Sequence, residues 1–225
     1  LFGGRGAAEG HRAARVGLQA QSDFFKGVGQ RGRFAWTLSV KRSDFGENAP
    51  QLLRKFLLHP KWDATPISLS GNTDCYQPAE RKFKLTRQLL EIALAYKQPI
   101  GMITKNSLIL RDRDILKEMA KLNLCMVYVS INSLNEDLRQ VMEPRTTTAK
   151  QRLKVVEELS KDGIPVGVMV APLVPGLSDH EIPKILKAVA NAGAIKAGYT
   201  VVRLNGAIGQ IFEDWLLKNF PDRFD

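Results

Sequence analysis

Pro66-Ile67-Ser68-Leu69-Ser70-Gly71-Asn72-Thr73-Asp74 and Ile100-Gly101-Met102-Ile103-Thr104-Lys105-Asn106-Ser107 decide the fold of this chain. Each is a short apolar run that breaks into small polar residues. A run of that length, bounded by turn residues, reads as a strand buried on both faces. Between the two, Glu80 to Tyr96 carries Phe83, Leu85, Leu89, Leu90, Ile92 and Leu94, a broad apolar face at helical spacing. The same strand, polar loop and helix then repeat. Cys125 to Val129, Val166 to Val170 and Tyr199 to Val202 read as strands. Glu47 to Leu58, Arg111 to Lys121, Leu134 to Met142, Thr148 to Lys161, Asp179 to Asn191 and Gly209 to Asn219 read as helices, with Gly163 and Gly193 closing two of them.

Apolar strands separated by helices belong to a parallel sheet covered by helices, either an open doubly wound sheet or a barrel. The unusual polar residues all follow strands: Asn72, Thr73 and Asp74; Thr104, Lys105, Asn106 and Ser107; Ser130 and Asn132; Pro172 to Pro175; and Arg203. That edge is where parallel α/β proteins bind ligands. Helix capping accounts for Asn, Thr, Asp or Ser in any one loop. Polar residues in five successive loops, with a lysine and an arginine among them, point to a convergent site.

The 225 residues are 44% hydrophobic and 25% charged, an ordinary globular composition with no apolar run long enough to span a membrane. No basic-then-apolar leader precedes the body, and two cysteines make no disulfide framework, so a cytoplasmic setting is expected. Cys75, Cys125 and the three histidines lie far apart and show no metal-ligand spacing. The net charge of +10 favours polyanionic partners. Residues 1–34 hold eight of the 18 glycines and net +4 of that charge, with no sustained apolar period. Gly27-Val28-Gly29-Gln30-Arg31-Gly32 matches a dinucleotide fingerprint in letters only. That motif needs a strand before it and a helix after it, whereas here the strand-like run Phe34 to Val40 follows. Residues 1–34 are therefore expected to be a flexible or non-native segment, with the folded body from 35 to 225.

Several stretches share a family pattern: Ser70 to Glu80; Ile103-Thr104-Lys105-Asn106-Ser107; Val129-Ser130-Ile131-Asn132; Met142-Glu143-Pro144-Arg145-Thr146; Ala171 to Asp179; Phe212 to Trp215; and Phe220 to Arg223. In this order and at these spacings, residues 36–225 resemble the radical S-adenosylmethionine (SAM) proteins related to spore photoproduct lyase, a branch loosely labelled DNA repair photolyase-like. The resemblance implies a partial (β/α)6 TIM-like barrel binding a [4Fe–4S] cluster and SAM. In that family the reduced cluster splits SAM into methionine and a 5′-deoxyadenosyl radical, with electrons from a reductant such as flavodoxin or ferredoxin. It implies that Gly71, Asn72, Thr73 and Asp74 meet the amino group of SAM. Lys105 and Ser130, with Thr104 beside them, would meet its carboxylate and nearby atoms. Asn132 and the backbone from Pro172 to Gly176 would line the adenosine. Arg203 is expected to face substrate or carboxylate, or to form an ion pair between helices. An ammonium and a hydroxyl suit a carboxylate, and a carboxylate with backbone carbonyls suits an ammonium.

The departure from the pattern is the CxxxCxxC loop after the family's first strand, whose three thiolates hold three irons. Nothing in this sequence supplies it. The first strand and cysteine loop are expected upstream of residue 36, where residues 1–34 stand instead. The chain thus reads as truncated or frame-shifted, a barrel missing its first strand, marginally soluble and inactive as written. Two other functions compete: a cluster-free SAM- or nucleotide-binding module, and a basic nucleic-acid-binding domain. The substrate is not readable, nucleic acid being one candidate class.

Overall fold

The structure, a computed structural model, describes residues 48–70 and 73–223. The opening segment, its glycine motif and the run Phe34 to Val40 lie outside the described residues. The chain begins with helix α1 (Ala49–Leu57), strand β1 (Ile67–Leu69), helices α2 (Glu80–Phe83) and α3 (Leu85–Ala95), and strand β2 (Ile100–Thr104). A 3-10 turn (Ser107–Asp112), α4 (Arg113–Lys121), β3 (Cys125–Ser130), α5 (Glu136–Met142), α6 (Ala149–Lys161) and β4 (Val166–Leu173) follow. A second 3-10 turn (Asp179–Glu181), α7 (Ile182–Asn191), β5 (Lys196–Val201), α8 (Ala207–Asn219) and a last 3-10 turn (Pro221–Arg223) complete it.

The five strands lie in the order β1-β2-β3-β4-β5, and every pair is parallel. A doubly wound sheet reverses its strand order at a switch point. Here the order runs one way throughout, which is the wall of a barrel. The strand ends fall almost level: Leu69 pairs with Met102, Thr104 with Val129, and Ser130 with Met169. Loops after successive strands therefore open on the same edge.

Every residue of β3 is buried, as a central strand covered on both faces requires. Val127, Val129, Val166, Val168 and Val170 form the core with Leu90, Leu116, Met119, Val156 and Leu159 from the helices. Gly167 faces Tyr128 in register, and a Cβ on Gly167 would stand 2.4 Å from Tyr128 Cε1. Close approach of the ring, and not turn geometry, requires glycine there.

The sheet ends differently at β5, where all six side chains are exposed or half-buried and Tyr199 is 71% exposed. Helix α8 buries none of its residues completely, though Phe212, Trp215 and Leu216 are half-covered on one side.

Several boundaries depart from the sequence expectation for identifiable reasons. The helix expected from Glu80 to Tyr96 breaks at Lys84, whose φ is 51°, and Phe83 is half-exposed instead of buried. Glu80 explains the break. Its carboxylate caps Thr86 N at 3.0 Å and pairs with Arg111 at 3.1 Å, so the first turn is held by ions while the apolar face begins at Leu85. The third strand runs on to Ser130, and the fourth to Leu173, with a register shift after Val170 and a cis Ala171–Pro172 peptide. The fifth begins earlier, at Lys196, and stops at Val201.

Candidate functional site

The loop after β1 is fastened to the end of β2 by Asp74. Thr104 Oγ1 donates to both of its carboxylate oxygens, at 2.8 and 3.0 Å. Lys105 N donates at 2.7 Å and Tyr76 N at 2.9 Å. The one hydroxyl hydrogen of Thr104 is shared between the two oxygens, so Asp74 takes three donors out of the about four a carboxylate accepts and serves as a clamp. Of the other residues in that loop, Thr73 is exposed, and Gly71 and Asn72 lie outside the described residues. Asn106 has a local role: its side chain accepts from Leu108 N at 2.9 Å and caps the turn Ser107–Asp112.

Lys105, the next residue on this edge, points its ammonium at Glu143 Oε1. The other oxygen, Glu143 Oε2, accepts from Arg152 Nη2 at 3.0 Å. The Arg152 side chain is 2% exposed, and Nε and Nη1 donate to the carbonyls of Thr147 and Ser130 at 2.8 and 2.9 Å. Burial lowers the pKa of this guanidinium from its ordinary value, and Glu143 opposes that shift. Thr147 Oγ1 donates back to the Lys105 carbonyl at 2.5 Å. The ion network thus ties the Lys105 ammonium to the main-chain carbonyl of Ser130 at the end of β3. Neither Glu143 nor Arg152 is distinguishable as part of the site from sequence: Arg152 lies on a helix among other basic residues. The one signal is Glu143 within Met142-Glu143-Pro144-Arg145-Thr146.

Past the end of β3, Asn132 is 2% exposed, and its Oδ1 has no hydrogen-bond partner among the described residues. A buried amide oxygen without a donor is costly. A ligand N–H or hydroxyl would satisfy it. Next to it, Ser133 Oγ and Leu134 N donate to the Glu181 carboxylate at 2.5 and 2.8 Å, tying this loop to the turn beyond β4. Pro172 lies within β4, half-buried. Arg203 stands apart: it lies two residues past β5, exposed and without an ion-pair partner among the described residues. Between the loops after β4 and β5 and helix α8 is a cavity of about 600 Å3, lined in part by Val174, Leu177, Val202, Phe212 and Leu216.

The donor set fits SAM and does not fit an iron–sulfur cluster. Lys105, Ser130 and the unpartnered Asn132 oxygen supply complements for a carboxylate and a nucleoside on neighbouring strand ends. Cluster ligation needs thiolates, and this chain has two cysteines. Cys75 packs against the core behind the Asp74 loop and Cys125 is buried in it, and burial pushes each thiol up to about 12. Among the described residues, no group of three or more His, Cys, Asp or Glu side chains could hold a metal. No helix among them is long and apolar enough to cross a membrane.

A one-way parallel sheet with a polar, cation-bearing edge is the wall of a partial TIM-like barrel with a ligand-binding edge. The profile of the Radical SAM superfamily matches residues 44–189, and the chain belongs to that superfamily. It is similar to an uncharacterized protein of Mycobacterium tuberculosis, 30% identical over 177 residues, covering 78% of this chain and 52% of that one. A Methanocaldococcus jannaschii protein, also uncharacterized, is 26% identical over 179 residues, 80% of this chain and 64% of its own. The chain therefore spans about half to two thirds of the length of these relatives. Its fold matches a spore photoproduct lyase mutant with bound AdoMet and dinucleoside spore photoproduct, at a TM-score of 0.59 and 15% identity over 77% of this chain and 50% of the other. A second spore photoproduct lyase mutant, with dinucleoside spore photoproduct, gives a TM-score of 0.57 at 14% identity, over 77% and 51% of the two chains.

Proposed function

We propose that this chain binds SAM at the edge formed by the ends of β1 to β4. Lys105 and Ser130 would take the carboxylate, and Asn132 with the Pro172–Gly176 backbone would take the adenosine. Thr104 and Asp74 hold the loop that meets the amino group. With three donors already on the Asp74 carboxylate, its remaining capacity and the carbonyls of that loop are the acceptors for an ammonium. The observation that carries this reading is the buried, unpartnered Asn132 Oδ1 past the end of β3, one strand over from Lys105 at the end of β2, in a superfamily barrel. Isothermal titration with SAM tests it, with ATP as the control nucleotide. Saturable one-to-one binding of SAM alone supports the reading; absence of binding, or equal binding of ATP, overturns it.

With no thiolate triplet in the sequence, the chain as given does not cleave SAM reductively on its own. Anaerobic reconstitution with iron and sulfide is expected to leave no bound cluster after desalting. Retained iron and sulfide in stoichiometric amounts would contradict this.

For the substrate, we propose a nucleic acid. The net charge of +10 supports it, as do the dinucleoside ligands of the structural neighbours. Binding to a fluorescent DNA oligonucleotide should weaken steeply with salt. Binding that is absent at low salt would overturn this part and leave the SAM reading standing.

A further inference from the structure

The Lys105 side chain is a four-carbon stem whose free rotation disperses its charge, and a binding lysine works best when that rotation is already restricted. In this barrel the restriction is built in. Glu143 Oε1 holds the ammonium, Arg152 holds Glu143 Oε2, and Arg152 is anchored on the last carbonyl of β3 and the carbonyl of Thr147. The order runs from the rigid strand end to the guanidinium, the carboxylate and then the ammonium. We propose that Glu143 and Arg152 are positioning residues that aim Lys105 at the carboxylate of a bound amino-acid-bearing nucleoside. This inference rests on the SAM reading above and deepens it.

The donor count fits. Among the described residues, Glu143 is the one acceptor on Lys105 Nζ, so two of its three N–H groups remain for a ligand. Arg152 has less reserve, with four of its five N–H groups already donating. Its Nε, Nη1 and Nη2 are all donating, Nη2 to Thr146 Oγ1 as well as to Glu143. At 2% exposure it acts through Glu143 and does not itself meet a ligand. Lys105 is 29% exposed and Glu143 10%, so the lysine is the member of the three that reaches the open edge. Two cations on one carboxylate leave a positive charge for an anion to complete.

The test compares two ligands that share the nucleoside and differ at the amino-acid end: S-adenosylhomocysteine, which carries the carboxylate, and 5′-methylthioadenosine, which lacks it. Dissociation constants are measured for the full chain, for Glu143→Gln and for Arg152→Lys. In both variants the homocysteine ligand should bind about tenfold more weakly, with methylthioadenosine binding unchanged within about twofold. Equal weakening of both ligands would mean the network is merely structural and would overturn the proposal. Unchanged or tighter binding of S-adenosylhomocysteine would also overturn it, since Glu143 would then be a competitor for Lys105. If Arg152→Lys fails to fold, Glu143→Gln, nearly equal in shape, decides alone. A full chain that binds neither ligand removes the SAM reading itself, and this inference with it. A full chain that binds both equally removes the inference and the assignment of Lys105 and Ser130 to the carboxylate, and leaves only nucleoside binding at this edge.

Discussion

Thr104 Oγ1 lies 2.8 and 3.0 Å from the two carboxylate oxygens of Asp74, so one hydroxyl at the end of β2 fixes the loop that follows β1. The bond joins two of the loops that make up the candidate site, across 30 residues of sequence. It also places Lys105 N against the same carboxylate.

Replacing that hydroxyl by a methyl leaves Asp74 short of a donor in a half-buried position. Thr104→Val is therefore expected to cost about 1–3 kcal/mol, and Thr104→Ser to recover most of it. Chemical denaturation of the three proteins checks this. A Val variant as stable as the parent would mean the clamp contributes nothing.

Gly167 sits where β4 passes Tyr128, and a Cβ there would come within 2.4 Å of the ring. Tyr128 is 2% exposed and cannot swing into solvent without opening the core. Gly167→Ala should therefore lower stability by about 1–3 kcal/mol through overpacking, read as a fall of several degrees in the melting temperature. An unchanged melting temperature would show that the ring has room to move.

Both thiols are pushed up to about 12 by burial, from an ordinary 9.0. At pH 8 the native thiolate population should be about a thousandfold below that of an exposed cysteine. Iodoacetamide is expected to label Cys75 and Cys125 slowly in the native protein and rapidly in denaturant. Fast native labelling of Cys75 would show that its loop opens and would reopen the question of that thiol as a ligand.

The central strands were legible because they are largely buried: Cys125 to Val129 and Val166 to Val170 are apolar without interruption, and tertiary packing does not compete with that signal. The helix starts were less legible. Ser107–Asp112 and Asp179–Glu181 are 3-10 turns whose apolar and charged residues mimic a helical period. The break at Lys84 depends on Glu80 meeting Arg111, a contact across 31 residues that no local pattern announces. At the site, the residues after strands could be read from their position alone, because a parallel sheet delivers them to one edge. Arg152 could not. It reaches that edge from inside α6 by burying a guanidinium under Ser130, and only the folded chain shows that its charge is spent on Glu143.

Arg203 follows the last strand, as its position in the sequence suggests, but β5 ends at Val201 and the guanidinium is exposed beyond it with no ion-pair partner among the described residues. Sequence position alone does not choose between a ligand-facing arginine and one bridging helices. Burial falls off toward that strand, so the enclosed part of the edge ends before it.

The most direct test of the account is equilibrium dialysis of radiolabelled SAM against the full chain and against Lys105→Ala. Loss of a charge-assisted contact to the carboxylate should weaken binding about 10- to 100-fold, with the circular dichroism spectrum unchanged. One saturable site in the parent and that loss in the variant is the predicted result. Equal binding by both proteins, or no saturable binding by the parent, would contradict the claim that this edge of the barrel holds SAM.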